Sequence, residues 1–445
     1  MDSSNHHQVN WKQLFAMRSF RFFFAGLFVS LFGTGMNFAG VTWYILGRTN
    51  STLQVSLLMI LMTLPGLFVP LLGGVLIDRT DRRYLGITLD LTRGSVVAAV
   101  SALFYLHHGG PFAIYLMVVL GGICAAVYWS TINALVQEVI PGRQLVAGNS
   151  GILIAVQGGL AIAGGFVGFM YDHAGIAGIL AIDASTYAVS AFCLYQLRRG
   201  HFPPRGHWDA RITEGFEGPL AVAEETALAP IVEPSLETNF LAELKEGMRY
   251  LSSRGDVLAL GLTYACMMAG VVSSNVVVVA VVKDILNAGA RGYGVIESSW
   301  AIGAISGGLA TGLLVKRFRP AIVLIGAMLT LTIGHVFFPY THLLLIAAVL
   351  QALFGSCRAL GGILTQSAIM TAVPRHLMGR TQSAFAVIST LLQLAMSFSL
   401  GWLAEKVNIP FSFLVLAAVY SVAMFGAFRA RDLASAPRGS VQVEA

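Results

Sequence analysis

The highest density of charge in the sequence lies in the segment GGVLIDRTDRR, residues 73–83. No residue from 49 to 77 is charged, and five of the next six are: Asp78, Arg79, Asp81, Arg82 and Arg83. Aspartate and arginine side chains form charge-assisted hydrogen bonds with each other and with helix ends, which carry partial charges. This chemistry is reversible ion pairing, which can hold two helices together and release them again.

Ionisable residues inside apolar runs are the second group of candidates. Asp90 and Arg93 are three residues apart, so they share one face of a helix. They can pair within that helix, or they can join the network of the charged loop. Asp183, Glu297 and Arg358 lie alone in three other apolar runs, so each needs a partner or a function.

The composition indicates the solvent around these residues. The chain has 445 residues, of which 56% are hydrophobic and 11% charged, whereas about 25% of a soluble domain is charged. The net charge of +6 comes from basic residues scattered at the ends of apolar runs, which favours a lipid surface over nucleic acid. The four cysteines form neither metal spacing nor a disulfide framework. We therefore predict an all-α integral membrane protein without cofactor, metal site or nucleic-acid partner.

The apolar runs predict the number of crossings. A spanning helix needs about 20 mostly apolar residues, and we find twelve such runs. They begin near Phe20, Val55, Tyr84, Phe112, Asn149, Ile176, Val257, Tyr293, Pro320, His342, Thr381 and Phe411. The first run is too long for the core of a signal peptide, so we expect it to be retained. The prediction is twelve transmembrane helices in two pseudo-symmetric six-helix bundles.

Lysine and arginine predict the orientation, because they concentrate in cytoplasmic loops. If the N-terminus is cytoplasmic, the outer loops hold only Arg48, Lys283, Arg291 and Lys406, and Arg358 lies within a span. The other 23 of the 28 basic residues then lie on or near the inner side. This asymmetry predicts that both termini are cytoplasmic.

A polar segment divides the chain. Residues 199–236 are rich in proline, glycine and charge, which is typical of a linker. The following NFLAELKEGMRYL has one apolar face and predicts an amphipathic helix on the membrane surface. We predict an N-terminal bundle 1–198, a cytoplasmic linker 199–236, a surface helix 237–254, a C-terminal bundle 255–432 and a cytoplasmic tail 433–445.

The two halves repeat each other. Aligning CAAVYWSTINALVQEVIPGRQLVAGNS with CRALGGILTQSAIMTAVPRHLMGRTQS pairs Cys124 with Cys357 and Pro141 with Pro374 at one offset. A second offset pairs GVLIDR from Gly74 with GLLVKR from Gly312. Parallel six-helix repeats are typical of a large class of secondary transporters.

The charged loop carries a family resemblance. The pattern G-x-x-x-D-R-x-x-R-R, formed by Gly74, Asp78, Arg79, Arg82 and Arg83, resembles the signature loop of the major facilitator superfamily. Asp81 stands where the family usually has glycine, which resembles the DRxDRR form of bacterial exporters in the enterobactin-exporter-like branch. AIDASTYAVSA and LAELKEGMRYL also resemble that branch. The resemblance implies a monomeric transporter of the bacterial inner membrane that works by alternating access. It further implies export of a small amphipathic compound or siderophore by antiport with protons.

Several charges are candidates for gating. Gly74 would let a neighbouring helix approach closely, and Asp78 could accept hydrogen bonds from the N-terminus of another helix. Arg79 could reach Glu138 at the inner end of the fourth span. Such pairs would hold one face of the protein closed and break when the halves rock. Asp81, Arg82 and Arg83, and the pair Asp90 and Arg93, belong to the same candidate network. For Arg82 and Arg83 a simple role as anchors on the inner side is the alternative.

The resemblance implies that the first, fourth, seventh and tenth spans line a substrate cavity. The polar and aromatic candidates on these spans are Asn37, Tyr128, Trp129, Asn133, Tyr264 and Asn275. Each could instead bond to a neighbouring helix. Asp183 and Glu297, each within about 10 Å of the outer end of its span by helix rise, are the candidate proton carriers. An interfacial hydrogen bond is the alternative for both.

The sequence places no carboxylate clearly at the depth of Arg358. Helix rise places it about 24 Å from the outer end of its span, and Glu297 about 6 Å from the outer end of its own. The difference of about 18 Å exceeds the reach of two side chains. Arg358 is therefore expected to bond to backbone carbonyls and water, or to an anionic or phenolate group of the substrate.

Other functional classes have less support. A phosphate-binding loop needs lysine after glycine, and none of the five lysines follows a glycine. No catalytic constellation stands out, so we predict that the protein is not an enzyme. Uptake of a small metabolite and a non-transporting membrane scaffold or sensor are the alternatives to export.

The orientation is testable by cysteine labelling in intact cells. Cysteines introduced at Thr80 and Arg205 should be protected from a membrane-impermeant thiol reagent, because both positions are predicted to face the cytoplasm. A cysteine introduced at Asn50 or Asn287 should react. The reverse pattern would overturn the orientation.

Overall fold

A computed structural model describes residues 11–68, 80–140, 145–197, 240–374 and 377–431. Every regular element in these ranges is helical, so the predicted all-α class is confirmed. Gly74, Asp78, Arg79, the whole predicted linker 199–236 and the predicted tail 433–445 lie outside the described residues.

Thirteen helices carry the fold in the described ranges, together with a π-helical segment, Val281–Ile285, and a 3-10 turn, Phe338–Tyr340. They are α1 (Trp11–Ala16), α2 (Arg18–Thr49), α3 (Thr52–Thr63), α4 (Arg82–Tyr105), α5 (Pro111–Val139), α6 (Leu145–Tyr195), α7 (Phe240–Ser253), α8 (Gly255–Ala280), α9 (Gly289–Arg317), α10 (Pro320–Phe337), α11 (Leu344–Ala372), α12 (Met378–Lys406) and α13 (Ile409–Arg429). Ten helices are long and apolar enough to cross a membrane, and Thr52–Phe68 is a shorter apolar helix.

Helix α6 bends back on itself. Its 51 residues would extend about 77 Å as a straight helix, far beyond the bilayer. The backbone breaks at Gly175, where φ is 60°, a conformation that glycine adopts without strain. Before the break, residue numbers rise together along α2 and α6, so the two segments are parallel. Phe28 of α2 lies beside Gly159 of α6, and Gly35 lies beside Ala163.

After the break the direction reverses. Gly26, Gly33 and Gly40 of α2 face Cys193, Thr186 and Ile179 in turn. Residue numbers therefore rise along α2 while they fall along α6. The two arms of α6, 145–174 and 176–195, are antiparallel to each other, as two consecutive spans would be.

Local sequence explains where several helices begin. The Ser51 side chain accepts a hydrogen bond from the Gln54 backbone N–H, and Asn408 accepts one from Phe411, so both residues cap a helix N-terminus. Pro111 and Pro320 occupy the first helical position of α5 and α10, where the missing N–H is tolerated.

The N-terminal half (α2–α6) and the C-terminal half (α8–α13) pack closely at the end of the bundle where α2 ends and α3 begins, called here the Asn50 end. A Cβ atom added at Gly401 would lie 1.7 Å from Ser56 Oγ, and one added at Gly168 would lie 2.4 Å from Arg291 Cα. The absence of side chains at these glycines lets the backbones of the two halves approach.

Helix α7 packs on the C-terminal half. Arg380 of α12 pairs with Glu246 at 2.5 Å, and a Cβ added at Gly247 would lie 2.4 Å from the Arg380 carbonyl oxygen. The helix is therefore attached to α12 by an exposed ion pair and a close backbone contact.

The contact between α9 and α11 generates a stability prediction. A Cβ at Gly303 would lie 1.8 Å from the Ala352 carbonyl oxygen, whereas nothing lies within 4 Å of one at Gly308. Gly303→Ala should lower the stability of the purified protein by about 1–3 kcal/mol through overpacking, seen as a lower melting temperature in detergent. Gly308→Ala on the same helix is the matched control. Equal melting temperatures for the two variants would contradict the close packing.

Candidate functional site: a cavity beside buried charges

A cavity of about 800 Å³ lies between the halves, large enough for a drug-sized molecule. Most of its wall comes from α2–α6, and Met268 of α8 and Gln393 of α12 contribute from the C-terminal half. The wall is mainly apolar and aromatic, with Phe38, Met62, Met117, Tyr128, Trp129 and Tyr187 among its larger side chains. Gln393 Nε2 donates to Thr63 Oγ1 at 2.5 Å, so the two halves are also bonded at the cavity wall.

Among the described residues that line that wall, Arg93 is the only charged one. Its Nη2 donates to Tyr187 Oη at 2.6 Å, and Tyr187 Oη is 3.1 Å from Thr34 Oγ1. The guanidinium lies 4.3 Å from the centre of the Tyr187 ring and 5.3 Å from that of Tyr128. Arg93 is 8% exposed, so stacking and hydrogen bonding replace much of its hydration.

Asp183 lies behind the wall and is fully buried. Asn37 Nδ2 donates to its Oδ2 at 2.5 Å, and Asn37 also lines the cavity. Asn37 therefore does both of the things that the sequence allowed: it lines the cavity, and it bonds to a neighbouring helix. The close approach of α2 and α6 depends on Gly33, because a Cβ there would lie 2.6 Å from Asp183 Oδ1.

Asp90 and Arg93 form the predicted pair only at long range. Arg93 Nη1 is 4.0 Å from Asp90 Oδ1. Each has a closer partner on α6, since Ser190 Oγ donates to Asp90 Oδ2 at 2.7 Å and Arg93 donates to Tyr187. The two carboxylates and one guanidinium thus lie in a buried polar group across α2, α4 and α6, in which hydrogen bonds offset part of the loss of hydration. Asp90 Oδ1 and Arg93 Nε have no hydrogen-bond partner among the described residues.

The described part of the charged loop bonds within the N-terminal half. Asp81 caps α4 by accepting from the backbone N–H of Arg83 at 3.0 Å. Arg82 pairs with Glu138 at 2.5 Å, and the predicted contact of Arg79 with the same carboxylate lies outside the described residues. Arg83 donates from Nε to the Leu194 carbonyl at 3.0 Å and from Nη2 to the Tyr195 carbonyl. These contacts tie α4 to α5 and to the end of α6, and none of them reaches the C-terminal half.

Polar contacts between the halves concentrate at the Asn50 end. Lys283 Nζ donates to the Leu46 carbonyl at 3.1 Å and to Asn50 Oδ1. Arg291 pairs with Asp172 at 2.6 Å. These contacts were not predicted from the sequence, although Lys283 and Arg291 are two of the four basic residues assigned to outer loops.

Two further side chains, Glu405 and Ser298, join the halves at the Asn50 end, and these contacts together are called here the seal. Glu405 accepts from the Leu53 backbone N–H at 3.2 Å and from Ser51 Oγ. Ser298 Oγ donates to the Ala161 carbonyl at 2.8 Å. With the glycine contacts, these bonds close the bundle at the Asn50 end.

Two smaller cavities share Val271, Ser274, Trp300 and Gln351 in their walls. The first lies between the halves, because α2 and α6 also line it, and the second lies within the C-terminal half. The first, of about 130 Å³, is lined by Glu297 and Asn275. The second is lined by Arg358 together with His335 and Tyr420. Glu297 Oε1, Gln351 Oε1 and Arg358 Nε have no hydrogen-bond partner among the described residues.

The helix bounds correct the predicted depths. Helix α9 begins at Gly289 and α11 at Leu344, so Glu297 is about 12 Å and Arg358 about 21 Å from those ends by helix rise. The difference is about 9 Å, half of the predicted value, because the hydropathy pattern placed the beginning of the eighth span too late. Gln351, which lines both cavities, is about 10.5 Å from the beginning of α11 by helix rise, close to the depth of Glu297.

The other predicted binding residues have separate environments. Tyr128 and Trp129 line the large cavity, and Asn275 lines the cavity of Glu297 while donating to the Val271 carbonyl of its own helix. Tyr264 packs against the main core. Asn133 is exposed, and neither it nor Tyr264 lines any of these three cavities.

The bonds of Tyr187 generate a prediction. Tyr187→Phe removes the hydroxyl that binds Arg93 and Thr34, and a hydrogen bond to a charged group contributes about 1.5–3 kcal/mol. The variant should melt at a lower temperature than wild type in detergent. Tyr105→Phe, at a position that is 59% exposed, is the control. Unchanged melting of Tyr187→Phe would show that Arg93 is held by its other contacts.

Comparisons with known proteins agree with this architecture. The family model of the Major Facilitator Superfamily matches residues 23–399. Macrolide efflux protein A of Streptococcus pyogenes is 26% identical over 324 residues, 72% of this chain and 70% of the relative. Enterobactin exporter EntS of Salmonella typhi is 22% identical over 363 residues, 81% of this chain and 80% of the relative.

A solved structure has the same fold. The crystal structure of a mutant of the nucleoside transporter NupG superposes with a TM-score of 0.67 at 12% identity, over 93% of this chain and 99% of that chain. The family match covers most of the sequence, and the superposition covers nearly all of both chains. The chain therefore belongs to the Major Facilitator Superfamily, as a multi-pass membrane transporter rather than an enzyme.

Proposed function

We propose that the protein exports a small amphipathic compound by alternating access, coupled to protons. The observation that carries the proposal is the cavity of about 800 Å³, which receives side chains from both halves and lies below a seal at the Asn50 end. The names of two relatives, a macrolide efflux protein and an enterobactin exporter, support export of compounds that combine polar and apolar surface.

The proposed topology is twelve spans in two six-helix bundles with both termini cytoplasmic. Ten helices are long and apolar enough to cross, and one of these, Gly151–Tyr195, contains the break at Gly175. Counting its two arms separately, and adding the apolar helix Thr52–Phe68, gives twelve. In the inner membrane of a bacterium, the charge asymmetry would then place the Asn50 end outside.

Alternating access requires that the seal be reversible. Lys283 to Leu46 and Arg291 to Asp172 join the two halves at the Asn50 end, whereas Arg82 to Glu138 and Arg83 to Leu194 join helices within one half. Rocking of the halves would break the first set and keep the second. We infer that the described loop charges keep the N-terminal half rigid while it moves. The roles of Gly74, Asp78 and Arg79 stay predictions.

The wall of the large cavity suits amphipathic compounds. Tyr128, Trp129 and Tyr187 present aromatic surface, and Met62 and Met117 are flexible side chains that adapt to irregular shapes. The polar groups in the wall are few, which favours recognition by apolar area with one or two oriented hydrogen bonds.

Asp183 and Glu297 are the proposed proton carriers, one in each half. Asp183 is bonded to Asn37 of the cavity wall, so a change in its protonation would be felt at the substrate site. Glu297 lines the 130 Å³ cavity, and its Oε1 has no partner among the described residues. Buried carboxylates in membrane helices are common parts of proton relays.

Flux measurements test the proposal. Purified protein in proteoliposomes, with a radiolabelled macrolide and an imposed pH gradient, should move the macrolide against its concentration gradient. Dissipating the pH gradient should stop the movement. Movement that needs no pH gradient would overturn proton coupling, and absence of flux for a panel of macrolides and other amphipathic compounds would overturn export.

The carboxylates generate a sharper prediction in the same assay. Asp183→Asn and Glu297→Gln should each reduce uphill transport at least tenfold and retain downhill exchange, because a neutral amide keeps the shape but carries no proton. Glu246→Gln, which changes an exposed residue of α7, should transport normally. A variant that still concentrates substrate would remove that carboxylate from the proton path.

A further inference from the structure

Arg358 is a deeply placed cation with weak partners. Helix rise puts it about 21 Å from the beginning of α11, and its Nη2 donates to the sulfur of Met268 at 3.0 Å. A thioether is a weak acceptor. Arg358 Nε has no partner, and no ion pair between described residues includes Arg358.

This environment differs from that of Arg93. Arg93 donates to Tyr187, stacks on two tyrosine rings and has Asp90 at 4.0 Å. The Nε of each arginine lacks a partner among the described residues, but Arg93 has an acidic and two aromatic neighbours to compensate its charge. Both arginines are expensive to bury, but Arg358 keeps donors for another molecule.

Met268 separates Arg358 from the large cavity. Its side chain lines that cavity and accepts the hydrogen bond from Arg358. Methionine has three flexible torsions and a weakly bonding sulfur, so an anionic group can displace it at small energetic cost. Gly362 leaves room beside the guanidinium, because a Cβ there would lie 3.0 Å from Arg358 Nη1.

We propose that Arg358 is an anion-binding subsite entered from the large cavity when Met268 moves aside. The ligand class is an amphipathic molecule with an aromatic body and a carboxylate or phenolate group. The aromatic body would remain against Tyr128 and Trp129 in the large cavity. This subsite rests on the proposed function only for its physiological ligand, since anion binding is measurable without transport.

Glu297 is the competing partner for Arg358. The two residues line neighbouring cavities that share Gln351. A water bridge could therefore let the Glu297 carboxylate compensate the charge of the guanidinium. In that case Arg358 would be a structural charge, and removal of the Glu297 charge would expose it. The binding experiment therefore includes Glu297→Gln.

Binding to purified protein in detergent tests the subsite. The probes are acid and amide pairs of the same aromatic body: benzoate with benzamide, 2-naphthoate with 2-naphthamide, and 9-anthroate with its amide. Quenching of tryptophan fluorescence reports binding, because Trp129 and Trp300 line the cavities concerned. Wild type should bind the acid at least about tenfold more tightly than the amide in one or more pairs, as expected for a charge-assisted hydrogen bond.

The variants separate the subsite from general charge effects. Arg358→Gln should lose the preference for the acid, and Arg358→Lys should retain part of it. Met268→Ala should keep the preference, because its sulfur is only displaced by the ligand. Arg429→Gln, at the exposed end of α13, is the control and should behave as wild type. A circular dichroism spectrum and melting temperature for each variant establish that it is folded.

Each contrary result has a definite meaning. No acid preference in any pair, including failure of every acid to bind, overturns the subsite. Retention of the preference in folded Arg358→Gln assigns it elsewhere and also overturns the subsite. A preference that appears only in Glu297→Gln would make Arg358 the partner of Glu297 and overturn it as well. Loss of flux in proteoliposomes with the preference intact would overturn export and leave the subsite standing.

Discussion

The structure depends on the cost of holding charge away from water. In the N-terminal half, Asp90, Asp183 and Arg93 are compensated by hydroxyl, amide and aromatic groups from neighbouring helices. This arrangement requires α2, α4 and α6 to stay in fixed register, so the network also determines the shape of the cavity wall. In the C-terminal half, Arg358 is left with a methionine sulfur. The buried arginine of the N-terminal half, Arg93, thus has strong partners within the protein, and that of the C-terminal half, Arg358, has a weak one.

The cost of burying charge also distinguishes ion pairs within one half from ion pairs between the halves. Ion pairs within the N-terminal half, such as Arg82 with Glu138, are partly buried and bind neighbouring helices. The pair between the halves, Arg291 with Asp172, is mostly exposed, and exposed pairs contribute about 0–1 kcal/mol. In the proposed alternating-access cycle, the partly buried pair would stay within one half and the exposed pair would lie where the halves separate.

Much of this could be predicted from the sequence. Apolar runs gave the all-α membrane class, and Gly74, Asp78, Arg79, Arg82 and Arg83 pointed to the family that the comparisons established. Depth was predicted less well, because hydropathy marks where a span is apolar and not where its helix begins. The pairing of Arg82 with Glu138 and the bonds of Lys283 were not predicted, because they depend on how helices pack, which no linear spacing contains. Asn37 was found as a wall residue, but its bond to Asp183 joins positions 146 residues apart.

The seal at the Asn50 end includes three side chains that donate to backbone carbonyls: Lys283 to Leu46, Ser298 to Ala161 and Thr52 to Gly401. A carbonyl exposed on opening accepts a hydrogen bond from water as readily as from lysine, serine or threonine. Separation of the halves at this end would then exchange protein donors for solvent donors with little net change in hydrogen-bond enthalpy. Water could thus replace the protein donors at this seal if the halves separate in the proposed transport cycle.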